Sequence, residues 1–195
     1  MSRYLTEFVR CARGPDMLKR KLFPNAKEIT ESFGAYNAVR SHLPDFALGD
    51  PSITMIAVGD GHAPRTAATF AYRTAWRCWS VDPLMRSLVW DVERLDAIRA
   101  RAEDVRVGCR GPVVIVAVHS HARLPDAVRV AVTNPGTQVA VVAIPCCVPQ
   151  VLHGVPPDVG YDDPDIMSPE RRVLVWRDVS EYARHAAIAA VTMEA

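Results

Sequence analysis

A chain of 195 residues, 49% of them hydrophobic and with a formal net charge of +1, suffices for one domain with a full core. The near-balance of charge excludes wholesale coating of a nucleic acid, though not a local basic patch. No apolar run approaches the about 20 residues that span a bilayer, so no membrane partner is expected.

The five cysteines, Cys11, Cys78, Cys109, Cys146 and Cys147, are odd in number and lack a disulfide framework spacing. They read as reduced thiols of a cytoplasmic protein, in the host cytoplasm if the source is viral. No secretory leader is visible at the N-terminus.

The chain reads as a single domain in three stretches: a helical segment 1–50, an α/β core 53–179 and a closing helix 180–195. Arg10, Arg13, Lys19, Arg20, Lys21 and Lys27 make the first stretch basic, which suits a solvated helix face or a contact with RNA. Apolar residues at Ile29, Phe33, Tyr36, Val39 and Leu43 predict a helix over 25–43, with Asn25 as its cap. From 53 the pattern alternates. Strands are predicted at 53–58, 77–82, 97–104, 112–119, 138–145 and 171–179. Helices are predicted at 64–75, 83–95, 124–134 and 180–193, and a Pro- and Asp-rich loop at 149–170.

Such alternation predicts a doubly wound, mainly parallel sheet with helices on both faces, a Rossmann-like α/β fold. Ligands of such sheets bind beyond the carboxyl ends of the strands. Gly59-Asp60-Gly61 and His62 form the turn after the first strand, where glycine permits close backbone approach. Asp82 ends the second strand about 20 residues on, where a nucleoside fold places the acceptor for ribose hydroxyls. It also suits the cap of a following helix, since Pro83 comes next. Glu103 and Asp104 close the third strand, as acceptors for an adenine amino group or as solvated loop acids.

In this order the motifs resemble a class I S-adenosylmethionine-dependent methyltransferase, over about 53–146. The resemblance implies S-adenosylmethionine as cofactor, with Gly59, Asp60, Gly61, His62, Asp82, Glu103 and Asp104 around it. Two positions depart from the family form: Ala57 replaces the acid before the first glycine, and Ala63 the third glycine. Asp60 is expected to take over the role of the missing acid. A narrower resemblance joins "VAVHSHARLPDAV" to "VVAIPCC". A strand-end His, Leu-x-Asp and Pro-Cys-Cys are similar to transfer-RNA 2′-O-methylating enzymes and their relatives, which implies RNA as a candidate acceptor.

His119 and His121 are then the candidate catalytic residues, with a ring pKa near neutrality suited to accepting a proton from the acceptor. His119, His121, Cys146 and Cys147 are also a zinc-compatible set. Neighbouring residues of a strand point to opposite faces, however, so Cys146 and Cys147 should not share one ion, and no metal is expected. Arg65 is placed to meet an anion; Trp76, Trp79, Trp90 and Trp176 read as packing. Three readings compete: a methyltransferase, a catalytically inactive methyltransferase-like binding or scaffold protein, and a nicotinamide-dependent enzyme. The last is weakest, because the turn lacks a third glycine.

Overall fold

Three of the predicted apolar runs become the centre of a seven-stranded sheet in the computed structural model, which describes residues 2–185. These are β1 (Thr54–Val58), β5 (Val113–Val118) and β7 (Val139–Ile144), and every residue in them is buried. Parallel strands covered on both faces need such unbroken apolar runs. The flanking strands are β2 (Arg77–Val81), β3 (Leu95–Ile98), β8 (Val159–Asp162) and β9 (Arg172–Trp176). Across the sheet the order is β3-β2-β1-β5-β7-β9-β8. The first five of these run parallel; β9 is antiparallel to β7 and to β8. The sheet is therefore mixed, not uniformly parallel.

Alternate side chains of the central strands feed two cores. Met55, Ala57, Val114, Val116, Val118, Val142 and Ile144 join α3 (Ala26–His42) and α4 (Arg65–Arg73) on one face. Ile56, Val58, Ile115, Ala117, Val141 and Ala143 join α5 (Leu124–Arg129) on the other. Two shorter helices, α1 (Arg3–Arg10) and α2 (Gly14–Lys19), complete the N-terminal segment. Asn25 caps α3 as expected, its side-chain oxygen accepting the Glu28 N–H at 3.0 Å. Phe8 meets Phe23 and Phe33 edge to face, which ties α1 to α3.

Four elements differ from expectation. Residues 83–94 form no helix. Their backbone groups bond outward instead: the Arg86 N–H reaches the His62 carbonyl, and the Arg99 guanidinium takes the carbonyls of Met85 and Arg86. The helix predicted over 124–134 stops at Arg129, and a short strand β6 (Ala131–Thr133) pairs with β4 (Val107–Cys109) in a separate two-stranded sheet. The third strand ends at Ile98, before a single 3₁₀ turn over Ala102–Asp104. The 149–170 loop contains β8. Of the closing helix, 180–185 is helical, and the rest of it lies outside the described residues. Among the described residues no helix is long and apolar enough to cross a membrane.

Candidate functional site

The sheet order changes direction at β1: the chain moves outward to β2 and β3, then crosses to β5 on the other side. At such a switch point α/β sheets bind ligands beyond the carboxyl ends of the strands. Gly59 and Gly61 lie there with φ of +83° and +78°. Side chains other than glycine rarely adopt such angles. Gly59 also lies tight against the residues that follow β5. A Cβ there would fall 2.7 Å from the Cβ of Ser120 and 2.8 Å from its Cα.

Asp60 turns inward and is 4% exposed. Its carboxylate accepts the N–H groups of Thr66 at 2.9 Å and Ala67 at 3.1 Å, and the Ser80 hydroxyl at 2.9 Å. It thus caps α4 and ties it to β2. The oxygens expected to face the cofactor are engaged within the fold. Ala57, where the family form has an acid, is a buried core residue beneath α3 and α4.

Asp82 occupies the strand end as predicted and is 6% exposed. One oxygen accepts the Gly61 N–H at 2.8 Å, the other the Leu84 N–H at 2.7 Å. It shapes the glycine turn from below and starts the next segment, which is not the helix its position suggested. Each carboxylate oxygen has two lone pairs, so a second acceptor direction remains on each. His62 is exposed, with Nδ1 3.0 Å from the Leu84 carbonyl. Glu103 and Asp104 are exposed on the 3₁₀ turn, which packs on α5.

His119 lies at the end of β5 with φ of +48°, a conformation uncommon for histidine. Its Nε2 is 3.2 Å from Glu31 Oε1 without the alignment of a hydrogen bond, and is left buried and unpaired among the described residues. Burial of the ring holds its pKa below the ordinary value, although the Glu31 carboxylate opposes this. Glu31, only 2% exposed, also takes Lys27 at 3.0 Å. Beside this pair Arg65 bridges the Glu28 carboxylate at 2.7 Å and the Asp60 carbonyl at 2.6 Å. Arg65 does meet an anion, but one from its own fold. Glu28 and Glu31 were not singled out from the sequence. The signal was available: α3 is buried around almost its whole circumference, and an acid within such a helix requires a partner.

His121 and the two adjacent cysteines stand apart from His119. Cys147 Sγ is 3.6 Å from His121 Nε2 and 3.8 Å from Cys146 Sγ. β7 ends at Ile144, so the alternation that would separate Cys146 from Cys147 does not reach them. The two thiols face one space, contrary to expectation.

The five cysteines fall into two groups. Cys78 and Cys109 are buried, and burial raises both thiols, Cys109 to about 11. Only about one part in a thousand of such a thiol is ionised at pH 8. In the native, pre-reduced and metal-free protein, with the reductant removed, Cys11, Cys146 and Cys147 are expected to react with an aromatic disulfide reagent. Cys78 and Cys109 are expected to react only on unfolding. Mass spectrometry of peptides after timed alkylation reads this directly.

No protein-family model matches this chain, and no curated protein matches it.

Proposed function

We propose that the chain is a methyltransferase of the class I type, binding S-adenosylmethionine beyond the carboxyl ends of β1 and β2. The observation that carries this reading is the strand order. Numbered within the large sheet alone, the strands run 3-2-1-4-5-7-6 with the seventh reversed. A dinucleotide fold built from two parallel halves runs 3-2-1-4-5-6. The first five strands here keep that order, which puts the switch point, and the crevice beyond it, between β1 and β5. The helices on both faces fit the doubly wound, Rossmann-like core that this reading implies.

The residues at the crevice fit the cofactor in part. The left-handed turn at Gly59 and Gly61 lets a ligand approach the backbone, and Asp82 keeps free acceptor directions for two hydroxyls. Asp60 is committed to α4, and Glu103 and Asp104 are surface residues. S-adenosylmethionine supplies a methyl group already activated on a sulfonium, so the work left to the protein is alignment and exclusion of water. His119 stands at the neighbouring strand end, its Nε2 turned toward α3. Its Nε2 is buried against Glu31, so orienting an acceptor or taking its proton requires the ring to turn from α3. Arg10, Arg13, Lys19 and Lys21 are exposed, but Arg10 lies by Arg73 at the end of α4 remote from the glycine turn, so RNA as acceptor rests on the sequence resemblance. Arg20 and Lys27 are instead engaged by Asp16, Asp91 and Glu31.

A second reading, a methyltransferase-like binding or scaffold protein without turnover, is favoured by one observation: Asp60, the one acid within the glycine turn, is spent on α4. Calorimetry with S-adenosylmethionine, S-adenosylhomocysteine and NAD tests the first reading. Micromolar binding of the first two alone is expected; binding of neither leaves the second. Asp82→Ala is expected to weaken cofactor binding by about 1–3 kcal/mol, the worth of charge-assisted hydrogen bonds. Unchanged affinity in a folded variant would mean that Asp82 serves only the Gly61 turn.

A further inference from the structure

We propose that His121, Cys146 and Cys147 form a zinc site with an open fourth position. The three residues come from two strand ends, β5 and β7, which are adjacent in the sheet. Their ligand atoms all lie within 4.8 Å of one another. Two of the three separations match those of a tetrahedral ion, and the third is within 4.8 Å. With Zn–S of about 2.3 Å and Zn–N of about 2.0–2.1 Å, tetrahedral angles place sulfurs about 3.8 Å apart and sulfur and nitrogen about 3.6 Å apart. The chain has 3.8 Å between Cys146 Sγ and Cys147 Sγ, and 3.6 Å between Cys147 Sγ and His121 Nε2. A disulfide would need its sulfurs at about 2.05 Å.

The chemistry of the set selects the ion. Two thiolates and one imidazole favour zinc over magnesium or calcium, which prefer oxygen. Three protein ligands with solvent access resemble the count of a catalytic zinc site, where water or substrate takes the fourth position, more than a closed structural site. Cys147 and His121 are exposed and Cys146 is partly so, so the fourth position faces outward. Binding converts both thiols to thiolates: two S–H protons leave to solvent as two Zn–S bonds form, with no change in oxidation state. The site does not depend on the methyltransferase reading. It lies beside the same crevice, two residues beyond His119.

The test is titration of the reduced, chelator-treated protein with Zn²⁺ against a chromophoric chelator, followed by Co²⁺ substitution. One Zn²⁺ per chain at submicromolar affinity is expected, with about two protons released per ion in weak buffer near neutral pH. The Co²⁺ form should show thiolate-to-cobalt charge-transfer bands and the intense visible bands of a tetrahedral ion. Cys147→Ser and His121→Ala should each weaken binding more than about a hundredfold. Both side chains are exposed, so neither variant should disturb the fold, and Cys11→Ser is the unaffected control. Weak or superstoichiometric uptake would overturn the proposal. So would unaltered affinity in Cys147→Ser, or a Cys146–Cys147 disulfide that resists reductant.

Discussion

Asp60→Ala is expected to lower the free energy of unfolding by about 3–5 kcal/mol, because several buried donors lose one shared acceptor. Three donors lose their acceptor together: the Thr66 and Ala67 N–H groups at the start of α4, and the Ser80 hydroxyl on β2. Each buried donor left without a partner costs about 1–3 kcal/mol. An ordinary helix cap is worth only about 1 kcal/mol. The size of the loss therefore separates two roles for this carboxylate. For a domain of this length the expected loss is a fall in Tm of roughly 6–20 °C. Asp60→Asn keeps one acceptor oxygen and should fall between wild type and alanine. Denaturant unfolding of the three proteins measures it. A loss near 1 kcal/mol, accompanied by weaker cofactor binding, would mean that Asp60 faces a ligand after all.

The same residue shows what a sequence conveys about such a site and what it does not. An acid inside a glycine turn after a buried strand has two uses, ligand contact and helix cap, and both demand the same position. Only the orientation of the side chain separates them, and orientation depends on Ser80, twenty residues away. Asp82 poses the same problem. Its place at the strand end was legible, but its bond to the Gly61 N–H was not. Cys146 and Cys147 fail in the opposite direction. The rule that neighbours in a strand diverge is sound, but β7 stops at Ile144, two residues before it would apply. His119 and Glu31 come together from elements 88 positions apart, with no local pattern linking them.

The fold was easier to read where burial alone decides structure. β1, β5 and β7 are unbroken apolar runs because both faces are covered, and no competing pattern fits them. The segment 83–94 forms no helix although Leu84, Leu88 and Val92 have helical spacing. Leu84 and Leu88 are 61% and 56% exposed, and only Val92 reaches the core. Bonds from Arg99 and to His62 outweighed that weak periodicity, as tertiary contacts often do. β8 went unrecognised because its Gly-Tyr-Asp sequence lies in an acidic stretch and it is paired on only one side.

Gly59→Ala should cost about 2–5 kcal/mol, from two separable sources. A residue with a Cβ at φ of +83° loses about 1–2 kcal/mol in the left-handed region. Forcing a methyl group into a packed site adds about 1–3 kcal/mol. The second source arises because the methyl would meet Ser120 at backbone distance, where no side-chain rotation can relieve it. Gly136 supplies the control. Its φ is +82°, yet a Cβ there has nothing within 4 Å, so Gly136→Ala should show the first source alone. The difference between the two variants then measures how tightly the ends of β1 and β5 are pressed together. Ser120→Gly introduced beside Gly59→Ala should recover part of that difference and none of the conformational cost. Thermal or denaturant unfolding of the four proteins gives the comparison. Equal losses at positions 59 and 136 would mean that the strand ends have room to part, and that the crevice is not held at the width seen here.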